Sequence, residues 1–115
     1  MNKIKELFKE SIRVKGLILE SEVLDEIEKM GDEIVNSIEK GCKVMLCGNG
    51  GSAADAQHLA AELLIRLRPE NNRKGLPAIA LSQDVSTITA CGNDFGFDFL
   101  YERLIDTLAN SGDVL

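Results

Sequence analysis

Two short apolar runs constrain this chain more than any other feature. Lys43-Val44-Met45-Leu46-Cys47 stands between Gly41 and Gly48, and Pro77-Ala78-Ile79-Ala80-Leu81 follows a polar stretch. Such runs are apolar on both faces, which predicts buried parallel strands over 43–47 and 77–81. Helical patterns surround them. Ile4, Leu7, Phe8, Ile12, Leu17 and Ile18 predict a helix over 3–19, and Val23, Leu24, Ile27, Ile34, Val35 and Ile38 a second over 22–40. Ser21 suits the start of the second helix and Gly41 its stop. A third helix is expected over 53–66, with Ser52 as N-cap and Asp55 three residues on in a capping-box-like arrangement. The segment from Arg68 to Gly75, with Pro69 and two Asn, is a loop. Another helix is expected from about Ser82–Asp84 towards Ala90, then a turn at Gly92-Asn93-Asp94 and a helix over 97–109. Strands alternating with helices indicate an α/β domain with a parallel sheet flanked by helices, preceded by two N-terminal helices. The expected division is 1–40 for the helical pair and 41–115 for the α/β part. Val114-Leu115, after the turn chemistry of Gly112-Asp113, opens like a third strand. Domains rarely stop as a strand begins, so the chain is expected to be part of a longer one.

The 115 residues suffice for one small domain, and 44% hydrophobic with 28% charged residues is a globular balance. The net charge of -6 gives no footprint for nucleic acid. The nearest basic group, Arg66, Arg68, Arg73 and Lys74, is diluted by Glu70 and two Asn. Apolar runs fall far short of the ~20 residues a spanning helix needs, which argues against a membrane role. The opening MNKIKELFKE is charged throughout and lacks a signal-peptide core, so a cytoplasmic location is expected. Cys42, Cys47 and Cys91 form no C-x-x-C pair and are expected to be reduced, partly buried thiols.

The chemistry concentrates in CGNGGSAADAQHLAAE, residues 47–62. A Gly-rich turn between strand and helix lets a ligand approach the backbone closely, and the positive helix end favours anions or polar oxygens. The glycines match neither the dinucleotide fingerprint nor a Walker A loop. Asp55, His58, Glu62 and Arg66, spaced three, four and four apart, share one helix face. Ala54, Ala61, Leu64 and Ile65 are expected to pack on the sheet. A His and a Glu one turn apart can share a metal ion or divide proton-transfer work. From spacing alone, an exposed face with i,i+4 pairs serves equally well.

CGNGGSAADAQHLAAEL resembles the active-site segment of the bacterial phosphoheptose isomerases of the SIS (sugar isomerase) family, and PAIALSQDVSTITACGNDFGFDF resembles their second signature. The resemblance spans almost the whole chain and weakens in the N-terminal helices and the 68–75 loop. It implies an SIS-type fold and an aldose–ketose isomerase. Such an enzyme interconverts D-sedoheptulose 7-phosphate and D-glycero-D-manno-heptose 7-phosphate, for heptose of lipopolysaccharide or another bacterial surface glycan. By the same resemblance Asn49, Gly50, Gly51 and Ser52 contact the sugar. His58 is a zinc ligand, and Glu62 touches substrate and Zn2+ and is the base that moves the proton between C1 and C2. Asn93 and Asp94 complete the sugar-binding wall, although a plain turn-capping role also suits them. A homo-oligomer, typically a homotetramer with sites between subunits, is implied as well.

One departure is large. The family's Ser/Thr-rich phosphate loop, a Gln and a second His are absent from residues 1–115, which hold half an active site and are expected to be inactive alone. Two other functions compete. Some relatives of this fold bind the replication initiator as assembly factors but lack a Glu at the place of Glu62. A phosphosugar-binding module would bind ligand without exchanging the C2 proton.

Overall fold

The computed structural model describes residues 2–115. Seven regular elements run in order: α1 (Lys3–Leu19), α2 (Val23–Glu39), β1 (Val44–Leu46), α3 (Gly51–Ala61), β2 (Ala78–Ala80), α4 (Val85–Asp94) and α5 (Leu100–Leu108). A π-turn over Glu62–Arg66 continues α3, and a short 3-10 turn over Phe97–Phe99 precedes α5. The chain divides into two compact units, one ending at Glu33 and one covering Ile34–Leu115, so the division falls inside α2.

In the first unit, Asn2 caps α1 by accepting from the Ile4 amide at 3.1 Å. Its apolar residues stay open: Ile4, Phe8 and Ile12 are each about two-thirds exposed. The amide of Val23 donates to the Ser21 hydroxyl at 3.3 Å, as the expected helix start requires. Within the second unit α2 ends at Glu39, and Gly41 follows with φ 81, a left-handed conformation that suits glycine.

In the second unit β1 and β2 pair in parallel, with Val44 opposite Ala78, Met45 opposite Ile79 and Leu46 opposite Ala80. Val114 adds a parallel bridge to Val44 on the free edge of β1, where Met45 donates to its carbonyl and it donates to that of Lys43. The expected third strand therefore begins here. The α/β architecture with a parallel sheet and two preceding helices agrees with the sequence. Each strand is one residue shorter at both ends than the apolar run that predicts it.

Three details differ from expectation. The face of α3 that packs on the sheet is Ala56 and Ala60, which form a core with Ala80 and with partly buried Leu46 and Ala78. Ala53 and Leu63, also partly buried, extend that row at helical spacing. Ala54, Ala61, Leu64 and Ile65 are exposed, Ile65 at 74%. Ala54, Ala61 and Ile65 lie on the flank of the polar stripe and not opposite it, and Leu64 falls within the π-turn that continues the helix. Secondly, α4, capped as expected by Asp84, whose side chain accepts from the Ser86 amide at 3.0 Å, runs past Ala90 through Asp94. The turn expected at Gly92-Asn93-Asp94 is thus the last helical turn, since no neighbour crowds Gly92 and the Phe95 amide still bonds the Cys91 carbonyl at 2.9 Å. Thirdly, Cys91 is buried and Cys42 partly so, but Cys47 is exposed at the end of β1.

The start of the third strand is fastened electrostatically. The Asp113 carboxylate pairs with the Lys43 ammonium and accepts from the amides of Lys43 at 2.9 Å and Asn110 at 2.7 Å. These bonds, that of the Lys43 side chain first, hold the Asp113 carboxyl at about 2, below its ordinary 3.8. A depressed carboxyl contributes stability that is present above its unfolded pKa and lost as pH falls through the folded one. Acid titration of stability by circular dichroism is therefore expected to show a loss between about pH 4 and pH 2 that Asp113→Asn reduces, with the variant less stable than the parent at pH 7.

Candidate active-site half

β1 delivers the chain to Gly48, and α3 begins only three residues later at Gly51. So tight a reversal needs two special positions. Gly50 has φ 57 and ψ -119 at the N-cap, a conformation that a side chain disfavours. At Gly48 a Cβ would lie 2.6 Å from the carbonyl carbon of Ser52. Ser52 is therefore not the N-cap. The helix has already started at Gly51, no side chain caps it, and the Ser52 amide donates to the Asn49 carbonyl at 3.1 Å. The loop at the positive end of α3 presents Asn49, Gly50, Gly51 and Ser52 as exposed residues.

Two residues that no local pattern points to border this loop, and one of them supports it. The Tyr101 hydroxyl, from α5, donates to the Gly48 carbonyl across 53 positions. Ser82, just after β2, lines the same cleft of about 150 Å³ beside Asn49, Gly50 and Tyr101, and its enclosed hydroxyl has no partner among the described residues. The Tyr101 contact is long-range, and sequence spacing carries no signal for it or for the placement of Ser82.

One and a half turns further along, His58 Nε2 lies 2.9 Å from Glu62 Oε1. The His58 side chain is 74% exposed and that of Glu62 only 28%. Asp55, Leu59 and Leu67 join them around an open depression of about 400 Å³. The exposed imidazole leaves room for a metal or ligand, while Glu62 is partly sheltered. Arg66 points its guanidinium to Asn72, at 3.5 Å, and does not join the pair.

Asn93 and Asp94 stand together in the last turn of α4, where Asn93 Nδ2 donates to Asp94 Oδ1 at 2.8 Å. Asp94 borders a cavity of about 450 Å³ between α4 and α5 that also holds Arg103, stacked on the Phe95 ring at 3.8 Å. The structure thus groups the candidates as a loop, a His–Glu pair and an Asn–Asp pair; among the described residues no hydrogen bond links the three groups. Imidazole nitrogen and carboxylate oxygen are a donor pair that suits zinc. No third His, Cys, Asp or Glu completes a metal-binding group among the described residues. No helix among them is long and apolar enough to cross a membrane.

Comparison with known proteins gives these features a family. The SIS domain profile matches residues 6–115. The chain belongs to the SIS domain family. Among curated proteins it is 46% identical to the phosphoheptose isomerase of Aquifex aeolicus over 114 residues, 99% of this chain and 58% of that protein. It is 53% identical to that of Helicobacter hepaticus over 88 residues, 76% of this chain and 44% of the relative. Among solved structures, a phosphoheptose isomerase from Francisella tularensis superposes with a TM-score of 0.89 at 38% identity, covering 97% of this chain and 57% of that one. The phosphoheptose isomerase of Neisseria gonorrhoeae gives 0.81 at 36%, covering 96% and 55%. The chain spans about half the length of these relatives, between 44% and 58%.

The contact of Gly48 with Ser52 generates a stability test. Gly48→Ala forces backbone apart and is expected to cost about 1–3 kcal/mol, read from urea unfolding. A substitution without effect on the midpoint would show that the loop yields freely.

Proposed function

We propose that this chain carries one half of an aldose–ketose isomerase site, acting on D-sedoheptulose 7-phosphate and D-glycero-D-manno-heptose 7-phosphate. The observation that carries the reading is the 2.9 Å contact of His58 Nε2 with Glu62 Oε1, on the helix whose N-terminus follows the glycine loop. The similarity to phosphoheptose isomerases over 76–99% of the chain supports it.

Isomerisation moves one proton between C1 and C2. A base must take it from the carbon next to the carbonyl and return it to the neighbouring carbon. Glu62 is the base in this reading. Its carboxylate is sheltered enough to be held in place and open enough to reach substrate. Asn49 and the backbone of Gly50, Gly51 and Ser52 would bind sugar hydroxyls, with Asn93 and Asp94 on the facing wall. His58 and Glu62 would hold one zinc ion, with the other ligands, the phosphate loop and the proton-donating acid supplied from outside residues 1–115. When bound, zinc supplies Lewis acidity that favours negative charge on the substrate oxygen. A cytoplasmic homotetramer feeding bacterial surface-glycan synthesis completes the proposal. The two-thirds exposed Ile4, Phe8 and Ile12 support association through the N-terminal helices.

In the full-length protein with zinc supplied, Glu62→Gln is expected to lower turnover of sedoheptulose 7-phosphate ~10²–10⁴-fold. His58→Gln is expected to lower zinc content and activity together, as measured by atomic absorption and product formation. Turnover by Glu62→Gln within a few-fold of the parent would remove Glu62 as base. Ligand binding by the parent without exchange of the C2 proton into solvent would favour a phosphosugar-binding module. Light scattering is expected to show an oligomer at micromolar concentration, and a monodisperse monomer counts against the assembly.

A further inference from the structure

The helix that bears His58 and Glu62 does not end as a regular α-helix. It widens into a π-turn over Glu62–Arg66, and the widening starts at Glu62 itself. Such turns are rare, and they change the direction of every side chain that follows relative to the preceding turn. The Glu62 amide still donates to the His58 carbonyl, so the turn that joins the two residues is α-helical, and the π-turn bears on how the Glu62 main chain is anchored on its C-terminal side.

What holds it comes from the loop after Pro69. Arg73 Nη2 donates to the Glu62 carbonyl at 2.8 Å, and Nη1 donates to the Leu63 carbonyl at 2.9 Å and to that of Lys74 at 3.1 Å. The Leu76 amide also reaches the Leu63 carbonyl, at 2.9 Å. Gly75 lies so close behind that a Cβ there would sit 2.4 Å from the Leu64 carbonyl oxygen. Carbonyls at a helix end lack donors from a following turn, so outside donors are what they require. One planar guanidinium spans two successive carbonyls, a geometry that a lysine ammonium cannot reproduce. Arg73 is partly buried, and its partners among the described residues are all main-chain carbonyls. It grips the backbone of Glu62 and leaves the carboxylate free.

We propose that Arg73 is a positioning residue for Glu62: its guanidinium fixes the main chain of Glu62 from the C-terminal side and so steadies the carboxylate that the α-turn places beside His58. This rests on the reading of Glu62 as base. Arg73 itself touches neither substrate nor metal in this account. Its charge serves to strengthen bonds to carbonyls.

The test compares Arg73→Ala and Arg73→Lys in the full-length protein at saturating zinc, with the exposed Arg68→Ala as control. Both Arg73 variants are expected to lose about 10- to 100-fold in kcat, the usual size for residues that orient a functional ligand. KM should hardly change, because sugar contacts stay in place. Zinc affinity, measured by competition with a chelator, should fall in the same variants, and added methylguanidinium should restore part of the kcat of Arg73→Ala. Arg68→Ala should match the parent. Circular dichroism at the assay temperature keeps folding apart from positioning, and Arg73→Lys carries the comparison if Arg73→Ala does not fold. A kcat for Arg73→Lys equal to the parent's, or a loss that merely follows the folded fraction, overturns the proposal. Turnover abolished by Glu62→Gln but untouched by Arg73→Lys overturns it alone. A parent without turnover overturns the reading of Glu62 and this inference together.

Discussion

Everything in the α/β unit depends on how closely α3 can approach the two strands. Ala56 and Ala60 face Ala80, and no larger side chain separates them. Small residues on both surfaces bring helix and sheet together, and this closeness sets the rest. It brings the end of β1 near enough to the start of α3 for a loop of a few residues, and it aims the far face of the helix outwards. Any larger side chain at Ala56 or Ala60 would lift the helix and move both the loop and the His58–Glu62 pair.

The loop and the pair are then held by different means. At its N-terminal end α3 relies on sterics and backbone bonds: the bare Gly48 against Ser52, the turned Gly50, and the Tyr101 hydroxyl on the Gly48 carbonyl. At its C-terminal end it relies on Arg73 and the Leu76 amide, which take up the carbonyls of the π-turn. The Lys43–Asp113 pair performs a similar service at the opposite end of β1, where it fastens the turn that leads to Val114. The functional segment is thus clamped at both ends by residues distant in sequence, and its middle is left open to solvent.

Much of this was legible beforehand. The parallel strands, both long N-terminal helices and the pairing of His58 with Glu62 follow from periodicity and from the fixed geometry of four-residue spacing on a helix. What escaped has physical causes. Ser52 resembles a capping residue, but the cap preference is outweighed by the close packing of Ser52 on Gly48, which starts the helix earlier. The burial of Ala56 and Ala60 is hard to see because alanine is compatible with either face of a helix. Asn93 and Asp94 are turn formers that α4 absorbs, since a well-capped helix tolerates them in its last turn.

The chain's own sequence determined the kinds and order of its elements and which side chains could meet within one helix, because those depend on contacts three or four residues apart. Only the tertiary structure decided which face of α3 is buried, where α3 widens, and which distant residues hold its two ends. Those outcomes are set by the fit of surfaces well separated in the chain, from Arg73 on the Leu63 carbonyl across 10 positions to Tyr101 on Gly48 across 53, and no local pattern records that fit.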